Sequence, residues 1–150
     1  MRYFMGIDPG QSGGIAVVSE TGTPWAVKMP ETERDIWEAI ESWSGHNDPE
    51  VSTHALIERV HAMPKQGVAS TFKFGRSYGF LRACLIGAQI PFQEITAAQW
   101  QGKLHCRTRG KKNVTKQLAQ QWFPELQITH ATADALLLAE LCRRINIGGQ

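Results

Sequence analysis

Residues 5–14 read MGIDPGQSGG and contain the acid around which the fold of this chain is predicted. An apolar run ends at Asp8, Pro9 and Gly10 follow at once, and a second apolar run begins after Gly14. Short apolar runs bounded by Gly and Pro are typical of β-strands. Asp8 is therefore predicted at the end of a buried strand, where it either caps the following turn or binds a metal ion.

Two further acids stand at the edge of apolar segments. Residues 54–58, HALIE, read as a strand that ends in Glu58, and Asp134 lies in the helical pattern of residues 129–144, THATADALLLAELCRR. If the two strands pair, Asp8 and Glu58 would lie about 5 Å apart, so they would repel each other unless a cation lay between them. His130 precedes Asp134 by one helical turn and would share its face. This oxygen-rich set favours magnesium or manganese over zinc.

The remaining patterns predict an α/β fold in one domain over residues 1–150. Strands are expected at 3–8, 14–19, 24–29, 54–58 and 91–95, with the first three forming an antiparallel meander. Helices are expected at 32–43, 68–89, 97–104 and 112–122, and from residue 130 onward. Together they predict a central mixed five-stranded sheet flanked by helices.

The composition is that of an ordinary globular protein, with 42% hydrophobic and 20% charged residues. No apolar run approaches the roughly 20 residues that span a membrane, and the first residues lack a signal-peptide layout. Three cysteines without metal-type spacing favour reduced thiols in a cytoplasm-like compartment.

Charge is distributed unevenly along the chain. Residues 59–124 hold eleven Lys and Arg but a single acid, Glu94, whereas residues 1–58 hold ten acids and three bases. Such a block favours a nucleic-acid partner, although a solvated surface balanced by acids elsewhere is the alternative. Phosphate contacts are expected mainly from residues 103–116, KLHCRTRGKKNVTK. The candidate DNA-binding residues are Lys65, Lys73, Arg76, Lys103, Arg107, Arg109, Lys111, Lys112 and Lys116.

Small residues recur every fourth position in the long helix predicted at 68–89. They are Gly75, Gly79, Ala83 and Gly87. Because glycine costs up to about 1 kcal/mol at an interior helical site, the stripe should serve close packing. The partner could be the protein's own sheet or a second subunit.

Four stretches, in this order, resemble Holliday-junction resolvases of the RuvC type, within the RNase H-like superfamily. They are GIDPGQSGG at 6–14, IERVHAMPKQGVASTFKFGRSYG at 57–79, the segment 96–100 with its following lysines, and ADALLLA at 133–139. The resemblance covers nearly the whole chain, and the second and fourth stretches are most similar to short phage-type members. It implies a cytoplasmic enzyme of a bacterial or phage-infected cell that acts in DNA recombination and repair.

The resemblance implies that Asp8, Glu58 and Asp134 are metal-binding catalytic acids. It also implies two Mg²⁺ ions in each active site, which Mn²⁺ could replace. The family's usual fourth acid is missing, and His130 is its natural substitute, as a ligand or as a proton carrier. A junction-centre loop with an aromatic residue is also implied. The candidates for that role are His61, Met63, Phe72 and Phe74.

The family further implies a homodimer, since two symmetric nicks in a four-way junction need two sites at a fixed spacing. The small-residue stripe would then be its interface. Expected partners are four-way junctions and other branched DNA, with no membrane and no small-molecule cofactor. Two other functions stay open, namely a non-catalytic junction-binding protein and an actin-like or sugar-kinase-type phosphotransferase suggested by IDPGQSGG.

Overall fold

A computed structural model describes residues 1–148 and contains one five-stranded sheet. The strands are β1 (Arg2–Asp8), β2 (Gly14–Ser19), β3 (Pro24–Lys28), β4 (Ser52–Glu58) and β5 (Phe92–Ile95). Their spatial order is β3-β2-β1-β4-β5. The first three form an antiparallel meander, and β4 and β5 run parallel to β1. The predicted mixed sheet is confirmed.

Five helices connect and cover the strands. They are α1 (Glu33–Glu41), α2 (Val68–Gly87), α3 (Ala97–Lys103), α4 (Asn113–Trp122) and α5 (His130–Ile147). Thr32 caps α1 by accepting a hydrogen bond from the backbone N–H of Asp35. Thr96 caps α3 with a reciprocal pair of bonds to Gln99. Both caps stabilise the start of their helix, because a threonine oxygen satisfies N–H groups that the first helical turn leaves free.

The sheet separates two apolar layers. Alternate side chains of β1, such as Phe4 and Met5, point to opposite faces and enter different core clusters. The cluster of Phe4 includes buried residues of α3, α4 and α5, whereas that of Met5 includes buried residues of α1 and α2. The carboxyl ends of β1 and β4 are thereby held between two helical layers.

The close approach of α5 to the sheet depends on two glycines. A Cβ at Gly6 in β1 would lie 2.1 Å from the carbonyl oxygen of Ala135, and one at Gly14 in β2 would lie 2.5 Å from that of Ala131. No side chain larger than hydrogen fits at either position without moving the helix. Gly6 and Gly14 therefore set the height at which α5 crosses the sheet.

The small-residue stripe of α2 does not pack on the sheet. A Cβ at Gly75 or Gly79 would meet no atom within 4 Å, and Ala83 is exposed. Only Gly87, at the end of the stripe, has a close neighbour, the ring of Trp37 in α1. The buried residues of α2 are Leu81, Cys84 and Leu85, on the opposite side of the helix. Of the two partners considered for the stripe, the sheet is excluded.

The three cysteines are buried and unbridged, in agreement with the prediction of reduced thiols. Within residues 1–148 no helix combines the length and apolar character that crossing a membrane requires.

Candidate active site

Asp8 and Glu58 end two adjacent parallel strands. The register pairs Ile7 of β1 with Ile57 of β4, so the next residue of each strand is one of these acids. Both acids are partly buried and follow fully buried apolar residues. The predicted juxtaposition of the two carboxylates at one edge of the sheet is therefore confirmed.

The first turn of α5 brings His130 and Asp134 to the same edge. Asp8 pairs with Gly14, and Gly14 is in turn covered by the carbonyl of Ala131 in that helical turn. Asp134 is partly buried, whereas His130 is exposed. Elements from both ends of the chain thus meet beside Asp8.

All three carboxyl groups resist ionisation. Burial, followed by repulsion from Glu58 and Asp134, raises the pKa of Asp8 to about 8. Burial and the charge of Asp134 raise the pKa of Glu58, against a hydrogen bond from Trp100 that lowers it. Burial also raises the pKa of Asp134, against the opposing effects of the Thr115 hydroxyl and the His130 charge. The site therefore brings three acids together in surroundings that disfavour their ionised forms.

The residues fit a divalent cation chemically. None of the ion pairs formed within residues 1–148 involves Asp8, Glu58 or Asp134, so no Lys or Arg neutralises them. Carboxylate oxygens are the ligands that Mg²⁺ prefers. Across the same residues, however, no three His, Cys, Asp or Glu side chains are already arranged to hold a metal ion. A cation bound here would remove the repulsion among these carboxylates.

Two residues of the site were missed in the sequence. Trp100 of α3 donates a hydrogen bond from Nε1 to Oε2 of Glu58 over 2.7 Å, and Thr115 of α4 lies beside Asp134. Both are buried. In the sequence, the segment 96–100 stands out only through the family resemblance. Trp100 itself gives no sign of a polar role, because a tryptophan in an amphipathic helix normally indicates core packing. Nothing in the local pattern distinguishes Thr115 from other helical threonines.

Two basic side chains of the segment 103–116 lie near His130. The six Lys and Arg residues of segment 103–116 form no ion pair within residues 1–148, and most are exposed. Lys111 and Lys112 line an open groove of about 430 Å³ together with His130. By contrast, Arg76 contacts Glu33 at 3.3 Å. The groove is therefore basic, and within residues 1–148 His130 is its one lining residue that acts on an acid of the site, Asp134.

The candidate junction-centre residues divide into two groups. His61 is exposed, Met63 is 58% exposed and Phe72 is 72% exposed. Phe74 instead turns inward, with its ring against Gly10 in the turn after Asp8. Phe72 is thus exposed, whereas Phe74 packs against the turn that follows Asp8.

Comparison with known proteins gives likeness of structure without a sequence match. No protein-family model matches the chain, and no curated protein matches it by sequence. A RuvC structure from Thermus thermophilus matches with a TM-score of 0.66 and 19% identity, covering 97% of this chain and 96% of that one. T. thermophilus RuvC in complex with Holliday junction substrate matches with a TM-score of 0.61 and 19% identity, over 99% and 97% of the two chains. The chain therefore has the RNase H-like α/β fold of RuvC.

Proposed function

We propose that this chain is a metal-dependent endonuclease that resolves Holliday junctions and other branched DNA by symmetric nicking. The observation that carries the proposal is the cluster of three partly buried carboxyl groups, which form no ion pair with Lys or Arg within residues 1–148. His130, which acts on Asp134, lines a groove with Lys111 and Lys112. The solved structure with the same fold that holds a Holliday junction substrate supports the choice of DNA.

In this proposal Asp8, Glu58 and Asp134 would hold Mg²⁺, with two ions in each site and Mn²⁺ as a possible replacement. When bound, such ions lower the pKa of an attacking water and stabilise charge on the leaving oxygen. His130 is exposed in the groove beside Asp134, where it would complete the ligand set or carry a proton. The basic segment 103–116, with Lys65, Lys73 and Arg76, would hold the phosphates of the junction arms.

We further propose that the enzyme acts as a homodimer through α2. Val68, Phe72 and Ile86 are 88%, 72% and 64% exposed. They fall on the face of the helix that carries Gly75, Gly79 and Ala83, opposite the face buried in the core. Glycines in such a row permit the close approach of a second helix, and the exposed apolar side chains would be covered by it. Gly87, which already lies against Trp37, would sit at the margin.

The test is cleavage of labelled four-way junctions, forks and linear duplexes in the presence of Mg²⁺, Mn²⁺ or EDTA. The wild type should nick junctions symmetrically with either metal and not in EDTA. Asp8→Asn should abolish nicking and retain junction binding in EDTA, because it removes a proposed metal ligand and no DNA contact. Asp48→Asn is the matched control. Oδ1 of Asp48 accepts a hydrogen bond from the backbone N–H of Glu50, whose carbonyl contacts Met1 at the opposite end of β1.

Two results would contradict the proposal. Full activity of Asp8→Asn would remove the acidic cluster from catalysis. Junction binding by the wild type without any metal-dependent cleavage would leave a non-catalytic branched-DNA-binding protein instead.

A further inference from the structure

Trp100 makes a polar contact with Glu58 from a position 42 residues later in the chain. Its indole Nε1 donates a hydrogen bond to Oε2 of Glu58 over 2.7 Å, and its side chain is completely buried. An indole N–H can only donate, and a carboxylate acceptor gives a short, charge-assisted bond. The contact therefore fixes one of the two oxygens of Glu58.

The chain delivers Trp100 to this position through consecutive elements. Ile95 at the end of β5 pairs with Glu58 in the sheet, which sets the start of the next helix beside that acid. Thr96 then caps α3 through its reciprocal bonds with Gln99, and Trp100 follows within the first turn. Because a protein interior is close-packed, the buried indole cannot turn away without leaving a cavity. The donor is thus held rigidly, with its direction set by the fold.

A second tryptophan provides a contrast to this bond. Nε1 of Trp43 is also buried, and it has no hydrogen-bond partner within residues 1–148. This protein therefore tolerates an unpaired indole N–H in one place and directs another onto a carboxylate at the acidic site. Residues that hold a ligand from behind in this way fix its orientation and commonly matter for metal affinity.

We propose that Trp100 is a positioning residue for Glu58: its indole N–H holds Oε2 and leaves the other carboxylate oxygen for a divalent cation. This inference rests on the proposed metal-dependent function and assigns to Trp100 a role in building the cation site. Trp100 itself touches neither the cation nor the DNA.

Direct binding of Mn²⁺ to the DNA-free protein tests the role, with free Mn²⁺ measured by electron paramagnetic resonance. Trp100→Phe retains an aromatic ring and removes the donor, so Mn²⁺ affinity should fall by about 10- to 100-fold. Trp43→Phe, which removes an N–H without a partner, should bind Mn²⁺ as the wild type does. Junction binding in EDTA should be the same for all three proteins. Unchanged Mn²⁺ affinity in a folded Trp100→Phe protein would overturn the proposal.

A spectroscopic measurement covers the case in which Trp100→Phe does not fold. The indole ¹H–¹⁵N resonances of the five tryptophans can be assigned in the wild type by correlation to the backbone. In Glu58→Gln the Trp100 resonance should shift upfield, since a neutral amide accepts more weakly than a carboxylate, and the Trp43 resonance should not move. An unchanged chemical shift of the Trp100 resonance in Glu58→Gln would overturn the proposal.

The outcomes for Trp100 and for the nuclease function can be told apart. If Trp100→Phe binds Mn²⁺ more weakly than the wild type and the wild type cuts no DNA, the positioning role is supported and the nuclease function is contradicted. If the wild type cuts DNA and Trp100→Phe binds Mn²⁺ as tightly as the wild type does, the nuclease function is supported and the positioning role is contradicted. A wild type that binds no Mn²⁺ would overturn both.

Discussion

The surroundings of Asp8 disfavour its ionised form. Burial and the charges of Glu58 and Asp134 raise its pKa from 3.8 to about 8. Between these values the folded protein keeps a proton on Asp8 that the unfolded chain has lost. The contribution of Asp8 to stability without metal must therefore fall as the pH rises from about 4 to 8, because the native state binds this proton more tightly than the unfolded chain does. The ionised form of Asp8, which the proposed chemistry needs, thus lowers the stability of the metal-free protein.

At the residue scale, we predict that Asp8→Asn stabilises the metal-free protein as it abolishes cleavage. In EDTA its melting temperature should exceed that of the wild type by several degrees above pH 8, since each 1 kcal/mol corresponds to about 2–4 °C at this chain length. The difference should shrink as the pH falls towards 4, where the unfolded chain also begins to protonate Asp8. Differential scanning calorimetry across this range checks the prediction, with Asp48→Asn as the control. A difference independent of pH would contradict it.

Single residues also show how far sequence reasoning reaches. Asp8, Glu58 and Asp134 could be selected because each interrupts or ends an apolar run, which is a local signal. Trp100 could not, because its contact with Glu58 depends on the pairing of β5 with β4 and on the direction of α3. Local sequence patterns identify a charged residue in an apolar segment. They do not identify contacts that form only when distant strands pair in the sheet.

At the scale of elements, the site depends on how closely α5 lies on β1 and β2. Gly6 and Gly14 leave room for the backbone of that helix, and the same helix carries His130 and Asp134. The sequence predicted the helix from its Ala and Leu content. It could not indicate the close crossing, because Gly6 lies inside an apparently ordinary strand and its partner is far along the chain.

We predict that Gly6→Ala displaces α5 and destabilises the protein. The added Cβ would meet backbone atoms of α5, so the cost should reach or exceed the upper part of the usual overpacking range of about 1–3 kcal/mol. Urea denaturation measures it. Gly67→Ala is the control, since a Cβ there meets nothing within 4 Å and the residue has an ordinary negative φ. Equal stability of the two variants would show that α5 is not held at this height.

At the scale of the whole molecule, α2 presents a face that the protein itself leaves uncovered. The spacing of its glycines predicted a close-packing role but left the partner open, because the same stripe suits a sheet or another helix. The structure excludes the sheet as that partner, since a Cβ at Gly75 or Gly79 would meet no atom of residues 1–148 within 4 Å.

The sequence was sufficient to predict the order of elements and the mixed sheet, because turns and apolar runs are strong local signals. It was insufficient for surfaces, which are defined by what the fold leaves exposed.

We predict that Gly79→Glu converts a dimer into a monomer with an intact fold. A carboxylate at the centre of the exposed row would be buried unpaired against a second helix, whereas in the monomer it would stay in water. Sedimentation velocity of both proteins checks the change in mass. Ser70→Glu is the control, because Ser70 is exposed on the other side of the same helix. A wild type that sediments as a monomer would contradict the dimer.

The crossing of α5 over β1 has a consequence for synthesis. Asp8 lies in the first strand and Asp134 in the last helix, so the two meet only after nearly every other element has left the ribosome. A nascent chain without α5 would also expose the apolar face of β1 that this helix covers. Translation adds about 5–20 residues each second, so a growing chain spends several seconds in that state. The complete acidic cluster therefore cannot form before α5 has been translated.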